Sequence, residues 1–139
     1  MSKLIESAAE VENLLKRSKV IAVVGVSDKP DRASNGVAKY LQENTDYELY
    51  FVNPLLDNVL GQKSYKSLFE IPVKIDMVDV FRKPTDIEAV MNEAIAVGAK
   101  SFWMQLGISE ATQAERAVAA GLDVVQDKCI KIELAILKN

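Results

Sequence analysis

The sequence predicts an α/β domain built on a doubly wound, mainly parallel five-stranded sheet flanked by helices. Three observations predict it. Residues 20–24 (VIAVV) form an unbroken apolar run ending in Gly25, as expected of a central parallel strand buried on both faces. Further short apolar runs alternate with segments whose apolar residues recur at helical spacing, the pattern of successive βα units. Small residues, amides and arginines stand directly after the strands, where open α/β sheets bind their ligands.

Each element follows in order. Residues 1–17 carry Leu4, Ile5, Ala8, Val11, Leu14 and Leu15 on one helical stripe, predicting a helix that covers the rest of the domain. The first strand, 20–24, gives way to a turn over 25–35, after which Ser34 or Asn35 caps a helix through Val37, Ala38 and Leu41. Residues 48–52 are the second strand, stopped by Asn53-Pro54 because proline cannot donate to a ladder. A loop with a short helical piece near 67–70 leads to the third strand, 75–81. Thr85-Asp86-Ile87-Glu88 reads as a capping box opening the next helix, and Gly98 closes it. Residues 100–104 form the fourth strand. Ser109 caps a helix running to about Ala120, which Gly121 ends. Residues 122–126 are the fifth strand and 130–137 a final helix. Strands separated by helices imply right-handed crossovers and a Rossmann-like fold.

Composition narrows the function. With 139 residues and 49% hydrophobic content, one domain is expected to fill residues 1–139, with no room for a second. Seventeen basic against 20 acidic residues, without a run of like charge, give no surface for nucleic acid or for a membrane. Residues 1–17 hold neither a secretory signal nor a membrane span, so the cytoplasm is the expected compartment. The lone Cys129 agrees with a reducing environment. There is no histidine, which removes Ser-His-Asp and Cys-His nucleophiles and would leave a metal site to be built from carboxylates and one thiol. Asp76 and Asp79 lie within the third strand segment, with no second acid placed to make a catalytic dyad. No catalytic base or nucleophile stands out, and no metal site is expected.

The strand ends form a coherent set. Gly25-Val26-Ser27, Lys29, Pro30, Arg32 and Ser34 follow the first strand, Asn53-Pro54 the second, and Phe81-Arg82 the third. Gln105-Leu106-Gly107 follow the fourth and Asp127-Lys128-Cys129 the fifth. Gly25 permits a close backbone turn, and the amides that follow it, with the next helix N-terminus, make an anion site suited to a pyrophosphate. The alternative is a merely structural βα turn. The G-x-G-x-x-G spacing of a dinucleotide fingerprint is missing, and Asn53 rather than an acid ends the second strand, which speaks against NAD. An adenine nucleotide bearing extra phosphate fits better, with Arg32 and Arg82 as bidentate donors.

These residues carry a resemblance. Val-Val-Gly-Val-Ser at 23–27, Arg32, Asn53-Pro54, Val80-Phe81-Arg82, Trp103-Met104-Gln105-Leu106-Gly107-Ile108 and Asp127-Lys128-Cys129 resemble the small stand-alone CoA-binding domain family, over about residues 17–133. That family is similar to the CoA-binding domain of the succinyl-CoA synthetase α subunit. The resemblance implies coenzyme A, or an acyl-CoA, as ligand. It implies that the turn Gly25, Val26, Ser27 and Arg32 bind phosphates and that Asn53, Phe81, Arg82, Gln105 and Gly107 line the remaining cleft. Val26 departs from the more usual alanine and Lys128 from the more usual arginine. The synthetase's phosphorylated histidine has no counterpart, so ligase chemistry by that route is excluded for this chain alone.

Trp103, inside the fourth strand, reads as core rather than as an adenine platform. Phe81 reads equally as a cover for adenine or pantetheine and as core. Cys129 reads as a small buried hydrophobe or as a thiol facing the CoA sulfur. Three functions remain in play: a CoA-binding protein without catalysis of its own, an NAD(P)-dependent oxidoreductase, and a regulatory subunit completing an acyl-CoA enzyme in trans. A homodimer or a protein partner stays open.

Overall fold

The computed structural model describes residues 2–138, and its central strand is the one the apolar run predicts, β1 (Val20–Val24). Every β1 residue but the first is buried, since both faces of the strand are covered. β2 (Glu48–Val52) pairs with it on one side and β5 (Met77–Val80) on the other, both parallel. β6 (Ser101–Met104) and β7 (Asp123–Val125) continue the parallel sheet beyond β5. The predicted class holds, but the strand count does not. A hairpin of β3 (Asn58–Val59) and β4 (Gln62–Tyr65) adds two strands beyond β2, giving seven in the order β3-β4-β2-β1-β5-β6-β7. β4 runs parallel to β2 and antiparallel to β3.

Helices cover both faces. α3 (Ile87–Ala96) and α4 (Ala111–Ala119) pack Ile87, Met91, Ala94, Ala114 and Ala117 onto one face, with Ala22, Val78 and Phe102 beneath. α1 (Ala8–Arg17), α2 (Ala33–Asn44) and α5 (Ile130–Leu137) bury Leu14, Leu15, Val37, Leu41 and Ile130 on the other, against Ile21, Val23, Met77 and Trp103. Neighbouring residues of a strand thus feed two different cores, which is why these strands read as unbroken apolar runs.

Several predicted boundaries are corrected. The covering helix starts at Ala8, not at the chain start; Met1 lies outside the described residues. Ser7 caps it through a capping box, its Oγ accepting from the Glu10 N–H at 3.2 Å while Glu10 Oε1 accepts from the Ser7 N–H at 3.2 Å. The preceding segment is extended, and its Leu4 bridges Val124 in parallel. Backbone bonds to β7 at Lys3 and Ile5 satisfy that edge better than a first helical turn could. Arg32, not Ser34 or Asn35, is the N-cap of α2. A 3-10 turn, Pro84–Asp86, absorbs Thr85, so the expected capping box before α3 does not form. Glu110 replaces Ser109 as the cap of α4, its carboxylate accepting from the Thr112 N–H at 3.1 Å. Among the described residues no helix is long and apolar enough to cross a membrane.

Candidate functional site

β2 and β5 leave β1 on opposite sides, so the crossovers diverge there and open a crevice above the carboxyl ends of β1 and β5. Gly25 sits at its floor. The residue has φ +93°, and a Cβ built on it would meet the Phe81 carbonyl oxygen at 2.3 Å. Only glycine admits both the left-handed backbone and this approach of two chains. Its N–H donates to the Val52 carbonyl at 2.8 Å, and the Phe81 N–H to the Val24 carbonyl at 2.8 Å, which locks three strand ends together.

The loop above this floor is held by side chains of the helix it feeds. The Ser27 N–H donates to Ser34 Oγ at 3.0 Å, and Asn35 Nδ2 donates to the Ser27 carbonyl at 2.9 Å. Ser34 and Asn35 are buried because they bond back to the turn instead of capping α2. Asn53 Nδ2 donates to the Val26 carbonyl at 2.9 Å, and its Oδ1 accepts from the Leu55 N–H, tying the end of β2 to the same turn. Val26 is fully buried, so only its backbone is available to a ligand. The first turn of α2, with its orphan amides, opens onto this loop beside the exposed Arg32.

Arg82 lies across the crevice on the α3 side. It lines a cleft of about 300 Å³ with Val24, Val52, Pro54, Lys66 and Asp86. Of the four arginines, Arg17 bonds Asp123 and Arg116 bonds Gln113, whereas the side chains of Arg32 and Arg82 make no ion pair or hydrogen bond among the described residues. The two unpaired guanidinium groups are therefore those at the strand ends. Lys66 and Ser67 also line this cleft and escaped the sequence reading, because the hairpin that brings them there was read as loop. A larger cleft of about 660 Å³ lies at the opposite, amino-terminal edge, lined by Arg17, Asp76, Lys100 and Asp123, with its charges paired across it. It is remote from the crevice.

The ends of β6 and β7 close the far side. Gly107 (φ +86°) is exposed and its N–H donates to Asp127 Oδ1 at 2.6 Å, joining the two loops. Gln105 is only 2% exposed and spends both ends of its amide on protein: Nε2 donates to Asp79 Oδ1 at 2.8 Å, and Oε1 accepts from the Ile130 N–H at 3.1 Å. It stands at the predicted place but turns inward. Trp103 is buried as expected, its indole N–H donating to the Lys128 carbonyl at 2.7 Å. Cys129 is the N-cap of α5 and packs, like the half-buried Phe81, against the α2/α5 core.

The chain is similar to known proteins over most of its length. A family model described as a CoA binding domain matches residues 19–135. The uncharacterized protein YneT of Bacillus subtilis is 42% identical over 132 residues, covering 95% of this chain and 97% of that protein. A hypothetical protein from Pyrococcus horikoshii superposes with a TM-score of 0.92 at 39% identity, over 96% of this chain and 94% of that one. The alpha subunit of an ADP-forming acetate-CoA ligase from Pyrococcus furiosus is 38% identical over 73 residues, 49% of this chain but 16% of that subunit.

Proposed function

Because the chain belongs to the CoA binding domain family, we propose that it binds coenzyme A or an acyl-CoA in the crevice above β1 and β5, without catalysis of its own. The observation that carries this reading is the pair of unpaired arginines flanking a glycine floor that no Cβ could share. The residues suit the group. The turn of Gly25, Val26 and Ser27 and the N-terminus of α2 receive the pyrophosphate through backbone N–H groups, and Arg32 neutralises it. Arg82, with Lys66, takes the remaining phosphate in the α3-side cleft. Asn53, Phe81 and Gly107 border the path, and Gln105 holds that border from beneath. The bound cofactor supplies a thiol that carries acyl groups; the protein's part is to hold and orient it. The whole of residues 1–139 acts as one domain in this reading.

Calorimetric titration with CoA, dephospho-CoA and NAD tests it. CoA binding that weakens without the 3′-phosphate supports the proposal, and NAD binding equal to or better than CoA overturns it. Arg82→Ala and Arg32→Ala each weaken CoA binding roughly ten- to 100-fold, the loss of one charge-assisted contact, while leaving thermal stability within about 0.5 kcal/mol. A role in trans, completing an acyl-CoA enzyme, is favoured by the partial match to a ligase alpha subunit. Co-purification with an acyl-CoA enzyme would support that role.

A further inference from the structure

β5 carries a carboxylic acid where a parallel central strand should be apolar. Asp79 is 0% exposed and lies opposite Val23 of β1 and Trp103 of β6. Its Oδ1 accepts from Gln105, and its Oδ2 has no partner among the described residues. Gln105 in turn accepts the first amide of α5, so a chain of two hydrogen bonds runs from the acid in β5, through the end of β6, to the start of α5. Asp79 lies one residue before the carboxyl end of β5, Gln105 directly follows β6, and Ile130 opens α5 beyond β7.

The surroundings offer that acid no countercharge. The face it looks toward is covered by Leu14 and Leu15 of α1, Val37 and Leu41 of α2 and Ile130 of α5. The titratable groups on that face are Tyr40 of α2, Tyr47 beyond its end, and Cys129 at the α5 cap, all partly buried. Lys128 meets Trp103 only through its backbone carbonyl, and Lys131 of α5 lies over the Tyr40 ring at 5.5 Å. No ionisable side chain other than Asp79 is buried among the described residues. An ion without a partner is costly in such a place, so the carboxyl keeps its proton, and burial pushes its pKa up to about 8 against the pull of the Gln105 hydrogen bond.

We propose that Asp79 is a positioning residue whose protonation state, relayed by Gln105, sets how the start of α5 and the end of β6 are held against the crevice. Neutral, it accepts the Gln105 Nε2–H while Gln105 Oε1 accepts the Ile130 amide, as seen here. Charged, it draws the Gln105 Nε2–H and the positive end of α5 more strongly toward itself, which shifts the contact between Gln105 Oε1 and the Ile130 amide. Its consequence for ligand binding rests on the function proposed above; the relay itself does not.

Carbon-13 and nitrogen-15 NMR of residues 1–139 read the relay directly. The Asp79 side-chain carboxyl is expected to titrate with a midpoint near pH 8, and the Ile130 amide nitrogen to shift with the same midpoint. Trp103, the sole tryptophan, is the optical reporter; Tyr47, pushed up to about 12 by burial, stays silent in this range. The fluorescence step should survive in Cys129→Ser and vanish in Asp79→Asn, which keeps an acceptor for Gln105. A carboxyl that titrates below pH 6, or one that titrates near 8 while the Ile130 amide stays fixed, overturns the proposal. CoA affinity falling threefold or more between pH 7 and 9 in the wild type, but not in Asp79→Asn, extends the relay to binding, and a pH-independent affinity refutes that extension. Failure of CoA to bind at all refutes the function while leaving the NMR result standing.

Discussion

At the scale of single residues, the crevice depends on positions that a substitution cannot approximate. Gly25→Ala places a methyl carbon against the Phe81 carbonyl and forces a left-handed backbone on an alanine, so a loss of about 2 kcal/mol or more is expected in chemical denaturation, with CoA binding lost in parallel. The sequence made Gly25, Arg32 and Arg82 legible, because glycine and arginine at strand ends have few other uses. It did not reveal that Ser34 and Asn35 would turn back to Ser27, since a serine near a helix start reads as a cap whether or not a loop amide competes for it. Gln105 was read as a lining residue; its amide is committed to Asp79 and Ile130, so Gln105→Leu should raise stability loss and affinity loss together, unlike the arginine variants. Melting curves beside titrations separate the two patterns. Asp79 itself was unreadable as a buried acid, because a polar residue inside an apolar strand carries no mark of which neighbours enclose it.

Elements built on strong apolar periodicity were legible, and those built on local hydrogen bonding were not. α1 illustrates both: its buried stripe of Val11, Leu14 and Leu15 is in view, whereas the helix begins only at Ala8, residues 2–7 lying ahead of it. Ser7→Ala removes the capping box and should cost about 1 kcal/mol in urea unfolding, without effect on the crevice some distance away. The β3–β4 hairpin went unseen for a chemical reason. Its turn residues Leu60 and Gly61 both have positive φ, a geometry usually announced by Asn-Gly or Asp-Gly, and the leucine hides the signal. With only two and four residues in its strands, the hairpin also offers too little alternation to detect.

For the molecule as a whole, the class of fold is readable because two cores on opposite sheet faces demand apolar residues along the central strands, Asp79 being the exception in β5. The same architecture predicts an order of local stability. Amide exchange should be slowest in β1, β5 and β6, whose side chains are almost wholly enclosed, and fastest in β3, β4 and residues 2–6. A mass-spectrometric exchange series that found β4 as protected as β5 would contradict this. The segment before α1 carries a further consequence. Its bonds from Ile5 to the Val124 carbonyl, and from the Val124 N–H to Lys3, occupy the outer rim of β7. Removing residues 1–6 would bare that rim as a row of unanswered donors and acceptors, and a truncated protein should recruit its own copies edge to edge and precipitate on concentration.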